Sequence, residues 1–208
     1  NKRILNETDI NFSNYNSIDY CWKKQFIKYT DNYSLGPQLN GLSSPKYDKG
    51  EGWVGPNHGK GGSYTETIFT NNFYNAGPNA FGSASVIASN SSSTNSNGDN
   101  HNTKLYVDNN LVFDSSYYYY NLFKIPFIIN SNDLSNSIEI KHSIGNIGQG
   151  VDYQNVSSIT CWYPHNGNFF DYDDILFGLS HNNNQSKSRF TISQLSNNIN
   201  TPNLYMLD

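Results

Sequence analysis

Apolar and polar residues alternate with a period of two along much of this chain, the periodicity of a strand whose two faces meet different surroundings. Ile18, Tyr20 and Trp22 alternate with Asp19, Cys21 and Lys23. Tyr64, Glu66 and Ile68 alternate with Thr65, Thr67 and Phe69. Leu105 and Val107 lead into Asp108-Asn109-Asn110, followed by Leu111 and Phe113. Asparagine tolerates the left-handed backbone of a tight turn, so this stretch predicts a hairpin turning over Asp108–Leu111. Ile138, Ile140, His142 and Ile144 share one face, with Glu139, Lys141 and Ser143 opposite. Ser157, Ile159, Cys161 and Tyr163 form another such set, and Phe190 and Ile192 a last one. No stretch keeps apolar residues at helical spacing for three turns. Many short strands divided by polar turns predict an all-β, antiparallel sandwich or barrel.

Two stretches break the alternation. Gly36–Gly62 is rich in Gly, Pro and Lys around Trp53, and Ser89–Asn102 is almost purely Ser, Asn, Thr and Gly; both read as long loops. No repeat or linker divides the chain, and 208 residues suit one large β-domain. Residues 1–208 are therefore expected to form a single sandwich with two terminal arms of strand character, Asn1–Phe12 and Phe190–Asp208.

Composition changes the picture in three ways. Only 36% of residues are hydrophobic, yet 16 Tyr, 12 Phe and 3 Trp supply a core of large rings, each able to bury roughly 150–250 Å². Net charge is −4 with lysines and arginines scattered, so there is no basic stripe for nucleic acid. Charged residues make up only 14%, leaving a surface of Asn, Ser, Thr, Gly and Tyr suited to sugars or to copies of the same chain. No apolar run is long enough to span a bilayer. A chain beginning at Asn1 is accounted for by a removed secretion signal, which points to an extracellular or cell-surface protein. In that setting Cys21 and Cys161, each followed by Trp, are expected to form a disulfide between an early and a late strand. Asn6, Asn11, Asn32, Asn90, Asn155 and Asn184 are N-glycosylation acceptors if a eukaryote secretes the chain.

Candidate chemistry is sparse. His58, His101, His142, His165 and His181 are far apart, and no metal signature or cofactor motif is present. Asp171, Asp173 and Asp174 form a weak Ca²⁺ candidate, a run that otherwise reads as a solvated turn. No nucleophile–base arrangement is readable. Glycoside hydrolysis needs two carboxylates, for which Glu51, Glu66, Asp152, Asp171, Asp173 and Asp174 are available. Trp53, Trp162 and Tyr163 are candidates for stacking on sugar rings.

Three segments carry a resemblance. Tyr120-Asn121-Leu122-Phe123-Lys124-Ile125-Pro126-Phe127, then Ser137–His142, then Asp152–Tyr163 ending Cys161-Trp162-Tyr163, are similar to the C-terminal jelly roll of a glycoside hydrolase family. That family includes difructose-dianhydride synthases and related fructo- and arabinofuranosidases. Upstream, Gly62-Ser63-Tyr64-Thr65-Glu66-Thr67-Ile68-Phe69 looks like its Gly-Thr-Gly-Thr-Glu-Asp-Tyr-Phe, in the same order. The resemblance implies a sandwich of the jelly-roll type and makes Glu66 the candidate catalytic carboxylate. It departs from the family at Thr67, where an Asp is expected, and has room for one jelly roll where the family carries two. No second family carboxylate can be placed downstream of Glu66.

The first functional expectation is a secreted structural protein that packs with its own copies into a fibril, sheath or coat. The alternatives are a carbohydrate-binding module and a glycoside hydrolase acting through Glu66.

Overall fold

A computed structural model describes residues 16–34, 38–39, 42–43, 52–89, 98–147, 151–170, 175–179 and 189–195. Eight long strands carry the architecture: β1 (Cys21–Lys28), β2 (Ser63–Phe69), β3 (Ala80–Ala88), β4 (His101–Val107), β5 (Asn110–Tyr117), β6 (Leu122–Ile129), β7 (Ser137–Ile144) and β8 (Tyr153–His165). Sheet I has the order β6-β3-β8-β1, continued past β1 by Phe177–Gly178; His58–Gly59 also pairs with β8. Sheet II has the order β5-β4-β7-β2. All these pairings are antiparallel. The orders 6-3-8-1 and 5-4-7-2 mean that the chain crosses between sheets at every connection except the β4–β5 hairpin. That is the double Greek key of a jelly roll, the fold class expected from the sequence. Among the described residues no helix is long and apolar enough to cross a membrane.

The alternation in β7 behaves as read: Ile138, Ile140, His142 and Ile144 are all buried. Ile138 and Ile140, with Ile68, Leu105 and Val107, face Ala84, Val86, Ile125, Phe127, Ile129 and Ile159 of sheet I. β-branched side chains are stiff and pack well on a pleated surface, which is why they fill this layer. Gly82 faces inward on β3, where any Cβ would collide with the Phe127 ring and the Thr160 carbonyl. The hairpin turns on Asp108 and Asn109, at φ 46° and 65°, the left-handed pair a two-residue turn demands. Asn110 already belongs to β5, so the turn is tighter than the sequence suggested.

Strand β8 contains a bulge. Its pairing with β3 shifts register between Val156 and Ser158. Gln154 and Val156 point inward before it, and Ile159, Cys161 and Tyr163 after it.

Several expectations need correction. Cys21 and Cys161 are both buried, free thiols. They lie on adjacent strands, but Cys161 is opposite Gln25 and Cys21 opposite His165. Four residues of register place them about 13 Å apart along the strand, beyond the ~7 Å a disulfide can bridge. Burial pushes each thiol up to about 12. The presumed loop Gly36–Gly62 contains ordered pairs: Asn32–Tyr33 with Trp53–Val54, Gln38–Leu39 with Leu42–Ser43, and His58–Gly59 with β8. Residues 101–102, assigned to the second loop, begin β4. The described part of the C-terminal arm lies on its own chain, Arg189–Phe190 beside Ser17–Ile18 and Gln194–Leu195 beside Asn168–Phe169. The N-terminal arm Asn1–Phe12 lies outside the described residues, as do residues 196–208 and 90–97.

Candidate functional site

A sheet with one face in the core normally turns polar side chains outward. On sheet I the outward positions depart from this. β1 presents Trp22, Lys24 and Phe26, while Cys21 and Lys23 point inward. β8 presents Trp162, β3 Phe81 and β6 Ile128.

The registers assemble these into rows across four strands. Ile128 is opposite Phe81, Phe81 opposite Trp162, and Trp162 opposite Lys24. The next row runs Pro126, Ser83, Thr160, Phe26. At strand spacing, four strands span about 14 Å. Trp22 packs on this surface with its ring centroid 5.2 Å from that of Phe81. Tyr20 meets Trp22 edge-on at 5.7 Å and stacks on Tyr74 at 5.9 Å. Lys24 Nζ lies 5.6 Å from the Trp162 ring centroid and 5.5 Å from that of Phe26. Phe81, Phe26 and Ile128 are 45%, 43% and 69% exposed.

The other end of the same face is covered. The segment around Val54 folds over it and buries Val54 against Ile87, with Leu122 beside them. Asn155 Nδ2 and Ser157 Oγ hold this cover by donating to the Gly55 and Trp53 carbonyls, at 2.9 Å and 3.3 Å. At its boundary a third row runs Lys124, Ser85, Ser158, Lys28, with both serines buried and both lysines exposed.

No family model matches the chain, and no curated protein does. Among solved structures it is similar to dimeric latent PorU from Porphyromonas gingivalis, with 16% identity and a TM-score of 0.51 over 74% of this chain. It spans 14% of the PorU chain. It is also similar to the CBM36-1 domain of a multidomain xylanase from the hindgut metagenome of Trinervitermes trinervoides, at 12% identity and a TM-score of 0.36, over 66% of this chain and 95% of that one. The PorU likeness shows the fold alone; the second is too distant to carry an argument.

The remaining candidates fall elsewhere. Trp162 belongs to the aromatic face. Trp53 is 41% exposed and meets Tyr33 edge-on at 5.3 Å, a separate small aromatic pair. Tyr163 is fully buried in the core and offers no face to a sugar. Glu66 faces the interior, where its Oε2 accepts from Tyr29 at 3.0 Å and Tyr64 at 2.6 Å. Two phenols on one oxygen hold the carboxylate fixed, and burial with Glu66's charge pushes the Tyr29 phenol up. Asn155 is buried with its amide committed, which removes it as a glycan acceptor in the folded chain. Asn32 is exposed, with its amide donating to Gly55 O at 3.3 Å. Asn6, Asn11, Asn90 and Asn184, and the Ca²⁺ candidates Asp171, Asp173 and Asp174, lie outside the described residues.

Sequence reasoning missed a polar cluster inside one end of the sandwich. His101 Nδ1 donates to Asp152 Oδ1 at 2.7 Å, and Asp152 Oδ2 accepts the Asn102 backbone N–H at 3.2 Å. Gln154 Nε2 donates to both Asp152 oxygens, while its Oε1 accepts from Thr103 and from His142 Nε2. His58 and His142 are 4.7 Å apart ring to ring. Burial, then the neighbouring His58, depresses His142 to about 3. Among the described residues no three His, Cys, Asp or Glu side chains could hold a metal ion. Asp152 is paired on both oxygens, as a buried carboxylate must be, and the cluster reads as a structural network. The histidines come from separate strands, so no spacing in the sequence announces it.

Proposed function

We propose that this sandwich binds carbohydrate on the open half of the outer face of sheet I. The observation that supports the reading is the row Ile128–Phe81–Trp162, flanked by Trp22 and Phe26, on a surface where solvent favours polar side chains. Exposed apolar patches on soluble domains mark contact surfaces. Here the patch is flat, being one face of a sheet, and its members are mostly rings. Flat rings accept the C–H face of a sugar while Ser83, Thr160 and Lys24 supply polar contacts beside them. A polysaccharide ligand fits the expectation of an extracellular or cell-surface setting.

The test is binding to a panel of soluble and insoluble polysaccharides. Trp162→Ala and Phe81→Ala are expected to weaken binding at least tenfold with the circular dichroism spectrum unchanged. Tyr106→Ala, on β4 in the other sheet, is expected to leave it within twofold. The reading fails if the intact protein retains no glycan, or if Trp162→Ala binds as well as the unaltered chain. Concentration-dependent assembly abolished by Phe81→Ala, without glycan binding, would assign the face to contacts between copies instead.

A further inference from the structure

We infer that Asn166 is a site of self-modification: the Gly167 nitrogen closes on its side-chain amide, His165 takes the proton, and the isoaspartate that follows loosens the C-terminal arm. Asn40-Gly41, Asn97-Gly98 and Asn166-Gly167 are the Asn-Gly pairs of the chain, and only the last lies wholly within the described residues. It forms the turn that ends β8, with Asn166 exposed and His165 and Gly167 buried. The Gly167 N–H donates to His165 Nδ1 at 3.1 Å, within the reach of a general base. A backbone N–H can only donate, so Nδ1 is the ring nitrogen that carries the lone pair. The Asn168 N–H donates to Asn166 Oδ1 at 3.0 Å. This Asx turn folds the side-chain amide back over the Gly167 peptide and polarises its carbonyl where charge develops on attack. The Asn166 N–H is tied to Asn72 O at 2.9 Å and the Asn168 carbonyl to Asn72 Nδ2 at 3.1 Å, so the turn is clamped in this shape.

The fold also keeps the labile pair in place. Gly167 has φ 85°, and a Cβ there would meet the Thr191 carbonyl at 2.7 Å and the Phe190 ring at 2.9 Å. The turn therefore demands glycine, and with it an unhindered nitrogen. His165 is surrounded by Lys23 and Cys21 of β1, Tyr163 of its own strand, Phe73, and Phe169 stacked at 4.6 Å. Burial, then Lys23, lowers it to about 4, which leaves the ring neutral and able to accept around pH 6.

In the reaction the Gly167 nitrogen bonds to Cγ of Asn166 and the Cγ–Nδ2 bond breaks. The Gly167 proton goes to His165 Nδ1 and on, through solvent at the exposed side chain, to the leaving nitrogen. Ammonia departs and a succinimide remains. Water opens the ring at one carbonyl to aspartate or at the other to isoaspartate, whose main chain is one carbon longer. That carbon lands where the arm is held. Gly167 O accepts the Ser193 N–H at 3.1 Å, and Asn168–Phe169 pair with Gln194–Leu195.

The experiment follows Asn166 by peptide mass spectrometry and isoaspartate-specific methylation while the whole chain ages at pH 6, folded and, in parallel, unfolded in urea. Unfolding removes the His165 contact and leaves the sequence unchanged. Asn166 is expected to convert at least threefold faster in the folded chain. Its folded rate should also change less between pH 5.5 and 7.5 than the unfolded rate, which depends on hydroxide. Slower conversion in the folded chain means that the hydrogen bonds protect Asn166 and overturns the inference. His165→Gln keeps an acceptor in reach of Gly167 but no base, and is expected to bring the folded rate down to the unfolded one. An unchanged folded rate in that variant overturns the role of His165. Where the variant does not fold, the folded-to-unfolded ratio and the pH profile of the unaltered chain decide. Hydrogen exchange at Ser193 and Gln194 is expected to quicken at least tenfold in the isoaspartate fraction and to stay constant on ageing in Asn166→Ser. Equal exchange in the aged and fresh chains overturns the loosening of the arm.

Discussion

The outer faces of the two sheets are made by the same alternation and come out opposite. On sheet II the outward residues include Thr65, Thr67, Lys104, Asp114, Glu139 and Lys141, a mostly polar set interrupted by Phe69, Tyr106 and Leu111. On sheet I they include Trp22, Phe26, Phe81, Ile128 and Trp162, so part of that sheet carries apolar side chains on both sides. On the covered half the chain has dealt with this itself by folding Val54 onto Ile87. The open half has no such cover among the described residues. One part of this outer face is thus sealed and another is left open.

The sharpest way to break the comparison is to cut equal pieces from its two sides. Ile140 is 1% exposed on the inner face of sheet II, and Ile128 is 69% exposed on the outer face of sheet I. Ile140→Ala is expected to cost about 2–5 kcal/mol, and Ile128→Ala under about 1 kcal/mol, both read from urea unfolding. A large loss at Ile128 would mean that the open face is stabilising the fold and is not free for a ligand.

Acid comes next. His142, on the inner side of sheet II, is held near 3 against 6.5 unfolded, so between those values the unfolded chain binds the proton and the folded one does not. Its contribution to stability is complete above pH 6.5 and is lost as pH falls toward 3. At about 1.4 kcal/mol per unit, roughly 3 kcal/mol has gone by pH 4. His165, depressed to about 4 by burial and then by Lys23, acts in the same direction. Urea midpoints at pH 7 and pH 4 measure the loss, and His142→Gln should flatten the dependence. A midpoint constant over that range would contradict the burial assigned to His142.

The smallest effect belongs to the wet face. Lys104 and Asp114 are 33% and 41% exposed, and such pairs are worth about 0.2–1 kcal/mol. The Asp114 carboxyl is held below its usual range first by the Asn102 amide and then by Lys104. A double-mutant cycle with Lys104→Gln and Asp114→Asn should give a coupling at the low end, shrinking further in 1 M salt.

Where strands run was legible in the sequence; which way they face was not. The alternation in β7 and the Asp108–Asn109 hairpin were read correctly because Ile and Asn there have only one good use. In β1 the same alternation misleads, since Cys21, Lys23 and Gln25 go inward and Trp22 and Phe26 outward. Lys23 is 3% exposed beneath Tyr163, and burial lowers its ammonium to about 8. No periodicity could have put it inside. The aromatic face is likewise invisible before the registers are known, because its members come from β1, β3, β6 and β8. Two cysteines in similar local settings suggested a bridge, yet local setting says nothing of the four-residue offset between them.

The bulge at Ser157 also limits how this gene can change length. Side chains alternate strictly along a strand, so adding or removing one residue exchanges the two sides for everything beyond it. A loss of Ser157 itself would straighten β8 and keep every later side chain on its own side, because the bulge already holds one residue too many, at the cost of the bond its Oγ donates to the Trp53 carbonyl. A loss of Thr160, beyond the bulge, would instead drive Trp162 inward and expel Cys161 and Tyr163 into solvent. Within this thirteen-residue strand, single-codon deletions are thus tolerable at one place, and lineages diverging in length here should have done so at the bulge.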